Sequence, residues 1–395
     1  DLDREKRNTA GAKAPDDIAE LCRRGGYHRI SMPLYPRDKS KLIQKIWLLT
    51  VCTCNWWRIM HCVEEDSIII YQHPQYGVRI AEKMIPMVQR KRNCKFVTVV
   101  HDLESLRGGI EGVIKNNSRT NKLADSILLR HMDCLICHNE KMKDYLVKMG
   151  YAQEKIVCLE LFDYLNNVQR VQRVKDQIPS IAIAGNLAAG KCKYIYDICK
   201  NGQNRNLTIH LYGNNYDSKT STKNMIWHGS FSPEELPAHL TGDFGLVWDG
   251  TSIKTCAGNT GRYLLYNNPH KTSLYLAADM PVIVWKDAAI ADFILKNEVG
   301  IVVESLDSLE GRIKDVSHEE YRKLCENACR IGELVREGYY FEKALTEALE
   351  TLTTCYYQFG NEYRFLCSFC NRFDFCASSE SRKNLVCDCE PNNHF

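Results

Sequence analysis

The 395-residue chain predicts an α/β fold in which two Rossmann-like domains with parallel sheets face each other across a cleft. Short runs rich in β-branched residues alternate with longer helical segments, as they do when crossover helices join parallel strands. This alternation stops over residues 163–180 and then restarts. The chain is also longer than one ordinary domain, and its length fits two.

The N-terminal domain is predicted to span residues 1–164. Its four predicted strands are DSIIIYQHP, KFVTVVHD, DCLICHN and KIVCLEL. Helical segments such as GVRIAEKMIPMVQRKRN and NEKMKDYLVKMGY separate these strands. Residues 165–178 are polar and carry no motif, so we assign them to a linker.

The C-terminal domain is predicted to span residues 179–352. Its six predicted strands are SIAIAGNL, LTIHLYGNN, NMIWHGSF, FGLVWDG, MPVIVW and VGIVVES. The final helical stretch, residues 317–352, is long enough to pack back across both domains. Residues 353–395 form an aromatic, cysteine-rich tail that we expect to be a poorly ordered extension. A zinc site is the alternative there, although the cysteine spacings match no standard zinc finger.

Charge and composition narrow the class of protein. A net charge of +3 and a pI near 8.0 argue against a dedicated nucleic-acid binder, but they allow a local basic pocket for an anion. The 19 scattered cysteines and a charged N-terminal stretch without an apolar core predict a cytoplasmic protein. The longest apolar segment, residues 42–60, is interrupted by Lys45 and Arg58. It predicts a buried amphipathic helix, or alternatively a membrane-surface helix with Trp56 and Trp57 at the interface.

Several strands end in residues that suit a phosphate or a sugar, and ligands of parallel sheets gather at such ends. Gly185 and Asn186, followed by Lys191 at a helix start, predict a phosphate-binding turn; a plain strand–turn–helix is the alternative. Tyr212 could stack on a base, and the Asp249 carboxylate could accept hydrogen bonds from sugar hydroxyls. Each of these two also fits an ordinary turn.

The segment YNNPHKTSLYLAA predicts a helix that starts after Pro269 and is preceded by Asn268. His270, Lys271 and Thr272 would lie in its first turn. Basic side chains are misplaced at the positive end of a helix dipole unless an anion is bound there. We therefore interpret the segment as a diphosphate-binding clamp, with a solvated helix end as the alternative.

In the first half, the segment VVHDLESLRGG places four polar side chains just beyond a predicted strand. They are His101, Asp102, Glu104 and Arg107. A carboxylate at this position could remove a proton from an acceptor hydroxyl, so Asp102 is our first candidate for a general base and Glu104 our second. A structural His–Asp pair is the competing interpretation. The basic segment REKRNTAGAKAP predicts a mobile loop nearer the N-terminus.

Together, HDLESLRGG, AGNLAAGKCKYIY, ADFILKNEVG and the long block over residues 244–285 resemble bacterial β-1,6-galactofuranosyltransferases of O-antigen assembly. More distantly, the chain is similar to the glucosyltransferases that act on streptococcal serine-rich adhesins. The resemblance covers roughly residues 1–352 and implies a GT-B fold. It also implies a nucleotide-sugar donor and a glycan acceptor. We expect inverting transfer of galactofuranose from a UDP-sugar, with no metal or other cofactor, because Lys271, His270 and the helix N-termini would stabilise the departing UDP.

Carried onto this chain, the resemblance implies a donor site in the C-terminal domain and an acceptor site in the N-terminal domain. The implied donor residues are Gly185, Asn186, Tyr212, Asn268, His270 and Lys271. The implied acceptor residues are the Asn8, Thr9 and Lys13 loop with His101 and Arg107. Where the family has an arginine shortly after the Gly-Asn pair, this chain has Ala189, with Lys191 nearby.

Other interpretations stay open from the sequence. A UDP-glucose-dependent glucosyltransferase acting on a protein- or lipid-linked glycan is one, and a non-catalytic subunit that binds a nucleotide sugar is another. A lipid-linked acceptor, peripheral contact with the inner face of the membrane and a homo-oligomer are further expectations, whereas no nucleic-acid partner is expected.

Overall fold

A computed structural model of the protein describes residues 10–33, 35–36, 38–107, 124–167 and 173–357. The predicted α/β class is confirmed, because two parallel sheets are flanked by helices. All ten predicted strands are present. In chain order they are β1 Ile68–His73, β2 Lys95–Val100, β3 Cys134–Cys137, β4 Ile156–Cys158, β5 Ser180–Ala184, β6 Thr208–Tyr212, β7 Met225–Trp227, β8 Phe244–Val247, β9 Val282–Trp285 and β10 Gly300–Val303.

The first sheet contains β1 to β4 in simple sequential order, and every pair is parallel. β2 and β3 lie in the middle and are almost wholly buried, which explains their continuous apolar sequences. The helices of this half are α1 Lys13–Arg24, α2 Lys41–Trp47, α3 Thr53–Cys62, α4 Val78–Arg92, α5 Glu104–Arg107 and α6 Glu140–Lys148. A π-helical segment, Leu48–Cys52, joins α2 to α3.

The second sheet has the order β10-β9-β8-β5-β6-β7, again with parallel pairs. The chain order reverses between β5 and β8, so the crevice beyond these two strands is where a doubly wound sheet binds its ligand. The helices of this half are α7 Ala189–Asp197, α8 Leu236–His239, α9 Gly258–Tyr263, α10 His270–Ala277, α11 Ala291–Asn297, α12 Leu309–Asp315, α13 His318–Glu337 and α14 Tyr339–Tyr357.

Helix α10 packs closely between the second sheet and α13, because a glycine on each neighbour leaves room for it. A Cβ on Gly245 of β8 would lie 2.1 Å from Cγ of Tyr275, so the tyrosine ring covers that strand directly. The Tyr275 hydroxyl accepts a hydrogen bond from the Ala184 amide at the end of β5 (2.8 Å). On the outer side, a Cβ on Gly332 of α13 would lie 2.3 Å from the Leu276 carbonyl oxygen. This packing fixes where the first turn of α10 points.

The predicted final helix is two helices, α13 and α14. A Ser317–Glu320 capping box starts α13, and Gly338 ends it in the left-handed region with φ of 97°. The Asp163 carboxylate accepts hydrogen bonds from the amides of Tyr340 and Phe341, which fixes the start of α14. α14 then packs against β3 and β4 of the first sheet. The last helix therefore ties the second half of the chain back to the first.

None of the helices in the described part of the chain is long and apolar enough to cross a membrane. The segment that combines α2, the π-helical segment and α3 buries only one side. Cys52, Trp56, Ile59 and Met60 face the core of the first half, whereas the opposite side is exposed. The prediction of an amphipathic helix is confirmed for α3, whereas Trp56, predicted as one of two interfacial tryptophans in the membrane-surface alternative, is buried and only Trp57 is exposed.

Candidate active site

The two sheets open onto a shared cleft with a cavity volume of about 2070 Å³. Residues from both halves of the chain line it. From the first half these include His101, Asp102, Glu104 and Arg107, and from the second half Gly185, Asn186, Lys191, Tyr212, Asp249, Asn268, His270 and Lys271. The structure thus brings most of the predicted site residues to one cavity.

The glycine-bearing turn after β5 lies directly beneath Lys271. Gly185 has φ of 130°, and a Cβ on it would lie 3.5 Å from Cε of Lys271. Behind it, Gly213 at the end of β6 has φ of 137°, and a Cβ there would lie 1.8 Å from the Gly185 carbonyl oxygen. Both positions require glycine for conformation, and Gly213 also requires it for space. The turn therefore offers bare backbone to a ligand beside a lysine.

Lys271 is held by the strand end that borders the switch point. Its Nζ lies 3.6 Å from Oδ2 of Asp249 and donates a long hydrogen bond of 3.5 Å to the Trp248 carbonyl. Burial is the largest single influence and opposes the charge of Lys271, but Asp249, with smaller contributions from Cys192 and Tyr275, raises the pKa of the lysine above its ordinary value. Lys271 is therefore a fixed positive charge in the cleft.

Two polar atoms of residues that line the cleft are buried and have no hydrogen-bond partner among the described residues. They are Oδ1 of Asp249 and Oδ1 of Asn267, and both residues line the cleft. The first amides of a helix also lack intrahelical partners, and in α10 these belong to His270 and Lys271. Pro269 precedes them and provides no side-chain cap. The start of α10 thus combines free donors, free acceptors and a cation, as a site for a phosphate-linked sugar would.

His270 differs from the prediction because it is not cationic. Its ring stacks on Tyr164 with 5.0 Å between centroids, and its Nε2 donates to the Asp163 carbonyl (3.2 Å). Burial lowers the pKa of His270 to about 4, so the ring is neutral at pH 7. Of the two basic residues predicted to bind the diphosphate, only Lys271 carries the charge.

Three further donor-site predictions are corrected by packing. The Asn268 side chain donates to the carbonyls of His138 and Glu160 and accepts from Asn139, so it joins the two halves of the chain. Thr272 is fully buried and is not among the residues that line the cleft. Tyr212 is 1% exposed, so its ring has no free face for a base.

The packing of Tyr212 explains why it is not free. Its ring is stacked parallel to His228 at 4.7 Å between centroids. Its hydroxyl shares a hydrogen bond of 2.8 Å with Oγ1 of Thr241 and accepts another from the Thr241 amide (3.0 Å). Asn186 and Lys191 are accessible instead. Asn186 Oδ1 accepts from the Ala188 amide, and no described residue forms an ion pair or hydrogen bond with the Lys191 ammonium.

On the opposite wall, Asp102 and Glu104 share one arginine. Arg107 Nη1 lies 3.0 Å from Oδ2 of Asp102 and 3.4 Å from Oε1 of Glu104. Although about a third of the Asp102 side chain is accessible (32%), the cleft walls remove bulk water. This burial raises the pKa of Asp102 to about 6, and Arg107 limits the rise. Asp102 is thus a stronger proton acceptor than an ordinary aspartate.

The carboxylate wall is connected to the second half of the chain. The Leu103 amide donates to the Tyr263 hydroxyl (2.9 Å), and Asp102 also interacts with that hydroxyl. The Asp102 carboxylate raises the pKa of Arg107 most strongly, with a smaller contribution from Asp249 across the cleft. The predicted catalytic and donor-binding groups are therefore near enough to act on one another electrostatically.

His101 lies next to Asp102 as a neutral ring. Burial, with a smaller contribution from neighbouring histidines, lowers its pKa to about 3. Its Nε2 bonds Oε1 of Gln72 at 2.7 Å, and because that oxygen only accepts, Nε2 carries the proton. The Gln72 orientation is set in turn by a bond from its Nε2 to the Pro15 carbonyl. His101 Nδ1 is therefore an acceptor at the cleft wall.

The predicted N-terminal acceptor loop is corrected at Lys13. This residue begins α1, is 6% exposed, and donates 2.6 Å hydrogen bonds to Asp17 and to the Leu165 carbonyl. Because its ammonium is enclosed by these two acceptors and by the Tyr164 ring, 5.0 Å away at its centroid, Lys13 fixes α1 to the end of the first half and does not line the cleft. Asn8 and Thr9 lie outside the described residues, as does the cysteine-rich tail beyond residue 357.

Sequence reasoning left four residues out of the predicted site. Three of them, Gln72, Gly213 and Asn267, line the cleft, and the fourth, Tyr263, is buried behind the carboxylate wall. Gly213 lies in the strand segment LTIHLYGNN and Asn267 in the segment YNNPHKTSLYLAA. A glycine directly after a second strand could have marked Gly213 as a place where the backbone approaches a neighbour or a ligand. Gln72 and Tyr263 act through partners distant in the chain, so no local pattern marks them.

Comparison with known proteins agrees with this architecture. The chain matches the family models "Glucosyltransferase 3-like, N-terminal domain" over residues 2–161 and "Glucosyltransferase 3-like, C-terminal domain" over residues 181–348. It is 33% identical over 353 residues to β-1,6-galactofuranosyltransferase WbbI of Escherichia coli K12. The aligned region covers 88% of this chain and 97% of that protein.

More distant relatives extend the comparison. The chain is 24% identical over 340 residues to Glucosyltransferase 3 of Streptococcus gordonii, with 85% of this chain and 93% of that protein covered. In fold it is similar to the sucrose-phosphate synthase of Thermosynechococcus elongatus, with a TM-score of 0.52, 14% identity, and coverage of 84% of this chain and 82% of that one.

The relatives are glycosyltransferases, and the chain has two Rossmann-like halves that face each other across one cleft. The protein is therefore a glycosyltransferase of the GT-B class. Within that class, the chain belongs to the Glucosyltransferase 3-like family. The resemblance inferred from the sequence is confirmed.

Proposed function

We propose that this glycosyltransferase moves galactofuranose from UDP-galactofuranose to a sugar hydroxyl of a bacterial cell-surface glycan precursor, with inversion and without a metal ion. The observation that carries the nucleotide-sugar assignment is the position of Lys271 over Gly185 at the start of α10. The galactofuranose assignment is supported by 33% identity to a protein named β-1,6-galactofuranosyltransferase.

The donor binds with its pyrophosphate between the β5 turn and α10. Gly185 and Gly213 leave the backbone bare, so the phosphates approach closely. Lys271 and the first amides of α10 bind the phosphate oxygens, and Lys191 from the opposite side of the turn adds a second cation. The unpartnered oxygens of Asp249 and Asn267 accept hydrogen bonds from hydroxyls of the donor.

Transfer breaks the bond between the anomeric carbon and the UDP oxygen, and the electron pair leaves with UDP. The charge that develops on UDP is stabilised by Lys271 and by the positive end of α10. These groups are fixed before the reaction, since Tyr275 and the Asp249 ion pair orient the first turn of α10. They supply the positive potential that a divalent ion would otherwise provide.

Asp102 acts as the general base on the acceptor hydroxyl. With a pKa raised to about 6 by burial, its carboxylate is ionised at pH 7 yet basic enough to accept the proton as the new bond to the anomeric carbon forms. The base lies on the first half of the chain and the leaving group on the second. Inversion requires the acceptor hydroxyl to attack from the face opposite UDP, and this separation of base and leaving group is compatible with such an attack. His101 Nδ1 orients the acceptor by accepting a hydrogen bond from a neighbouring hydroxyl.

A donor panel tests the proposal. The full chain is incubated with UDP-galactofuranose, UDP-galactopyranose or UDP-glucose and a galactose- or glucose-terminated acceptor, with and without a metal chelator. We expect fastest product formation with UDP-galactofuranose, no loss of rate with the chelator, and an anomeric configuration opposite to that of the donor by NMR. A rate that depends on metal, or retention at the anomeric carbon, would contradict the mechanism.

A second candidate donor is UDP-glucose, favoured by the family description and by the similarity to Glucosyltransferase 3. The same panel separates the two, because faster transfer from UDP-glucose replaces the galactofuranose assignment and leaves the site intact. UDP binding without product from any donor would favour a non-catalytic subunit.

A further inference from the structure

The surface formed by α2, the π-helical segment and α3 exposes a row of large apolar side chains that nothing in the proposed reaction uses. Leu42 and Leu49 are each 68% exposed, and Trp57 is 59% exposed. Ile43 and Ile46 extend the row. We call these five residues the apolar ridge.

The ridge is one continuous face of one helical rod. Residues 42, 46 and 49 follow the three- and four-residue spacing of a helical stripe. The π-helical segment Leu48–Cys52 shifts the phase, and Trp57 continues the face in α3. The opposite face, including Trp56 and Ile59, is buried against the first sheet. The rod is therefore anchored through the π-helical segment and α3, whereas α2, which has no buried residue, carries Leu42, Ile43 and Ile46 outward.

The ridge is bordered by cations. Residues 39–63 contain no aspartate or glutamate, but they contain Lys39, Lys41, Lys45 and Arg58. At the Trp57 end, Lys91 of α4 bonds His61, and the exposed Arg90 lies next to it in the chain. Asp38 precedes this run and Glu64 follows it, so the acidic residues stand at its two ends. Within the run itself, all charged side chains are positive.

We propose that this face docks the enzyme on an anionic lipid bilayer. An apolar ridge with an exposed tryptophan enters the boundary between headgroups and acyl chains, while flanking lysines and arginines bind lipid phosphates. A protein partner would require a polar, shape-matched rim, whereas a run whose charged side chains are all positive complements the uniform negative charge of an anionic lipid surface.

The docking surface lies on the acceptor side of the cleft. Trp47, Leu48 and Trp56 of the same rod line the large cavity that also contains Asp102. Docking would therefore place the proposed acceptor site at the membrane surface. This deepens the proposed function by favouring an acceptor carried on a lipid, but the docking itself does not depend on the identity of the donor.

The test is flotation of the full chain with vesicles of phosphatidylcholine alone or mixed with phosphatidylglycerol. We expect binding to the mixed vesicles, and a double substitution Leu42→Asp with Leu49→Asp to weaken it at least about tenfold. The matched control is Leu295→Asp, a 53% exposed leucine on α11 of the other half, which we expect to leave binding unchanged. Lys41→Glu should weaken binding about fivefold, and added salt should weaken it further.

Three readouts keep the outcomes distinct. Thermal unfolding shows that each variant folds, and transfer to a water-soluble acceptor shows that its active site is intact. Failure of the full chain to float, or equal flotation of the Leu42→Asp, Leu49→Asp variant, would overturn the docking proposal without touching the reaction. A dimer that is present in the parent chain and absent in that variant, with no vesicle binding, would instead identify the ridge as a contact between copies of the chain.

Discussion

Lys271 and Asp249 face each other at the switch point of the second sheet, with Nζ and Oδ2 3.6 Å apart and Cε of the lysine above Gly185. The distance is long for an ion pair, and Oδ1 of Asp249 has no partner in the described part of the chain. Asp249 therefore orients Lys271 without a close ion pair, and the lysine charge remains available to a bound anion. That arrangement is what a site for a pyrophosphate requires.

Removal of the lysine should slow the chemical step. Lys271→Ala is expected to lower kcat by about 100-fold, because the charge on departing UDP loses its nearest cation. Lys286→Ala is the matched control, since Lys286 is ion-paired on the surface with Glu304 and contacts no part of the cleft. Steady-state kinetics with saturating donor measure both variants, and an unchanged kcat for Lys271→Ala would remove this lysine from the reaction.

The glycine pair should be intolerant of side chains. Gly213→Ala places a Cβ 1.8 Å from the Gly185 carbonyl oxygen at φ of 137°, so we expect the free energy of unfolding to fall by at least about 3 kcal/mol. Gly190→Ala, in the same region, meets no atom within 4 Å and should leave stability nearly unchanged. Chemical denaturation compares them, and equal stability would show that the close approach is absent.

The acceptor-side carboxylate sets the pH dependence. Because the pKa of Asp102 is raised to about 6 and the base must be ionised, kcat/KM should rise with pH through about 6 and level off above it. Arg107→Gln removes the group that opposes this rise and should move the midpoint to higher pH. Asp102→Asn should lower kcat about 1000-fold. A pH profile that is the same in the parent and Arg107→Gln would point to a different base, with Glu104 the next to test.

Substitution of Asn268 should lower stability, whereas substitution of Asn186 should weaken donor binding. Asn268→Ala removes the side-chain donor of the Glu160 carbonyl and one hydrogen bond each from the His138 carbonyl and the Asn139 amide, which keep the Glu160 amide and the Tyr266 carbonyl as partners. We expect a loss of about 2 kcal/mol in unfolding free energy. Asn186→Ala, on the accessible turn, should weaken UDP binding with little effect on thermal unfolding. Calorimetry of UDP binding and thermal melts measure both effects, and the reverse pattern would restore Asn268 to the donor site.

The strands, their parallel pairing and the location of the cleft could be predicted from the sequence, because continuous apolar runs and strand-end glycines are local signals. The cationic segment at residues 270–271 was likewise visible as a charge misplaced on a helix dipole. The sequence could not show that Lys13 donates hydrogen bonds to Asp17 and to the Leu165 carbonyl, or that the His228 ring stacks on Tyr212. Both facts depend on residues distant in the chain. The neutrality of His270 also depends on tertiary burial, which no motif records.

The central claim is that the pyrophosphate of the donor lies between the Gly185 turn and the start of α10. A crystal structure of the full chain with UDP tests it most directly. The account predicts phosphate oxygens within about 3 Å of Lys271 Nζ and of the first amides of α10. UDP bound in the cleft away from both segments, or bound outside the cleft, would contradict it.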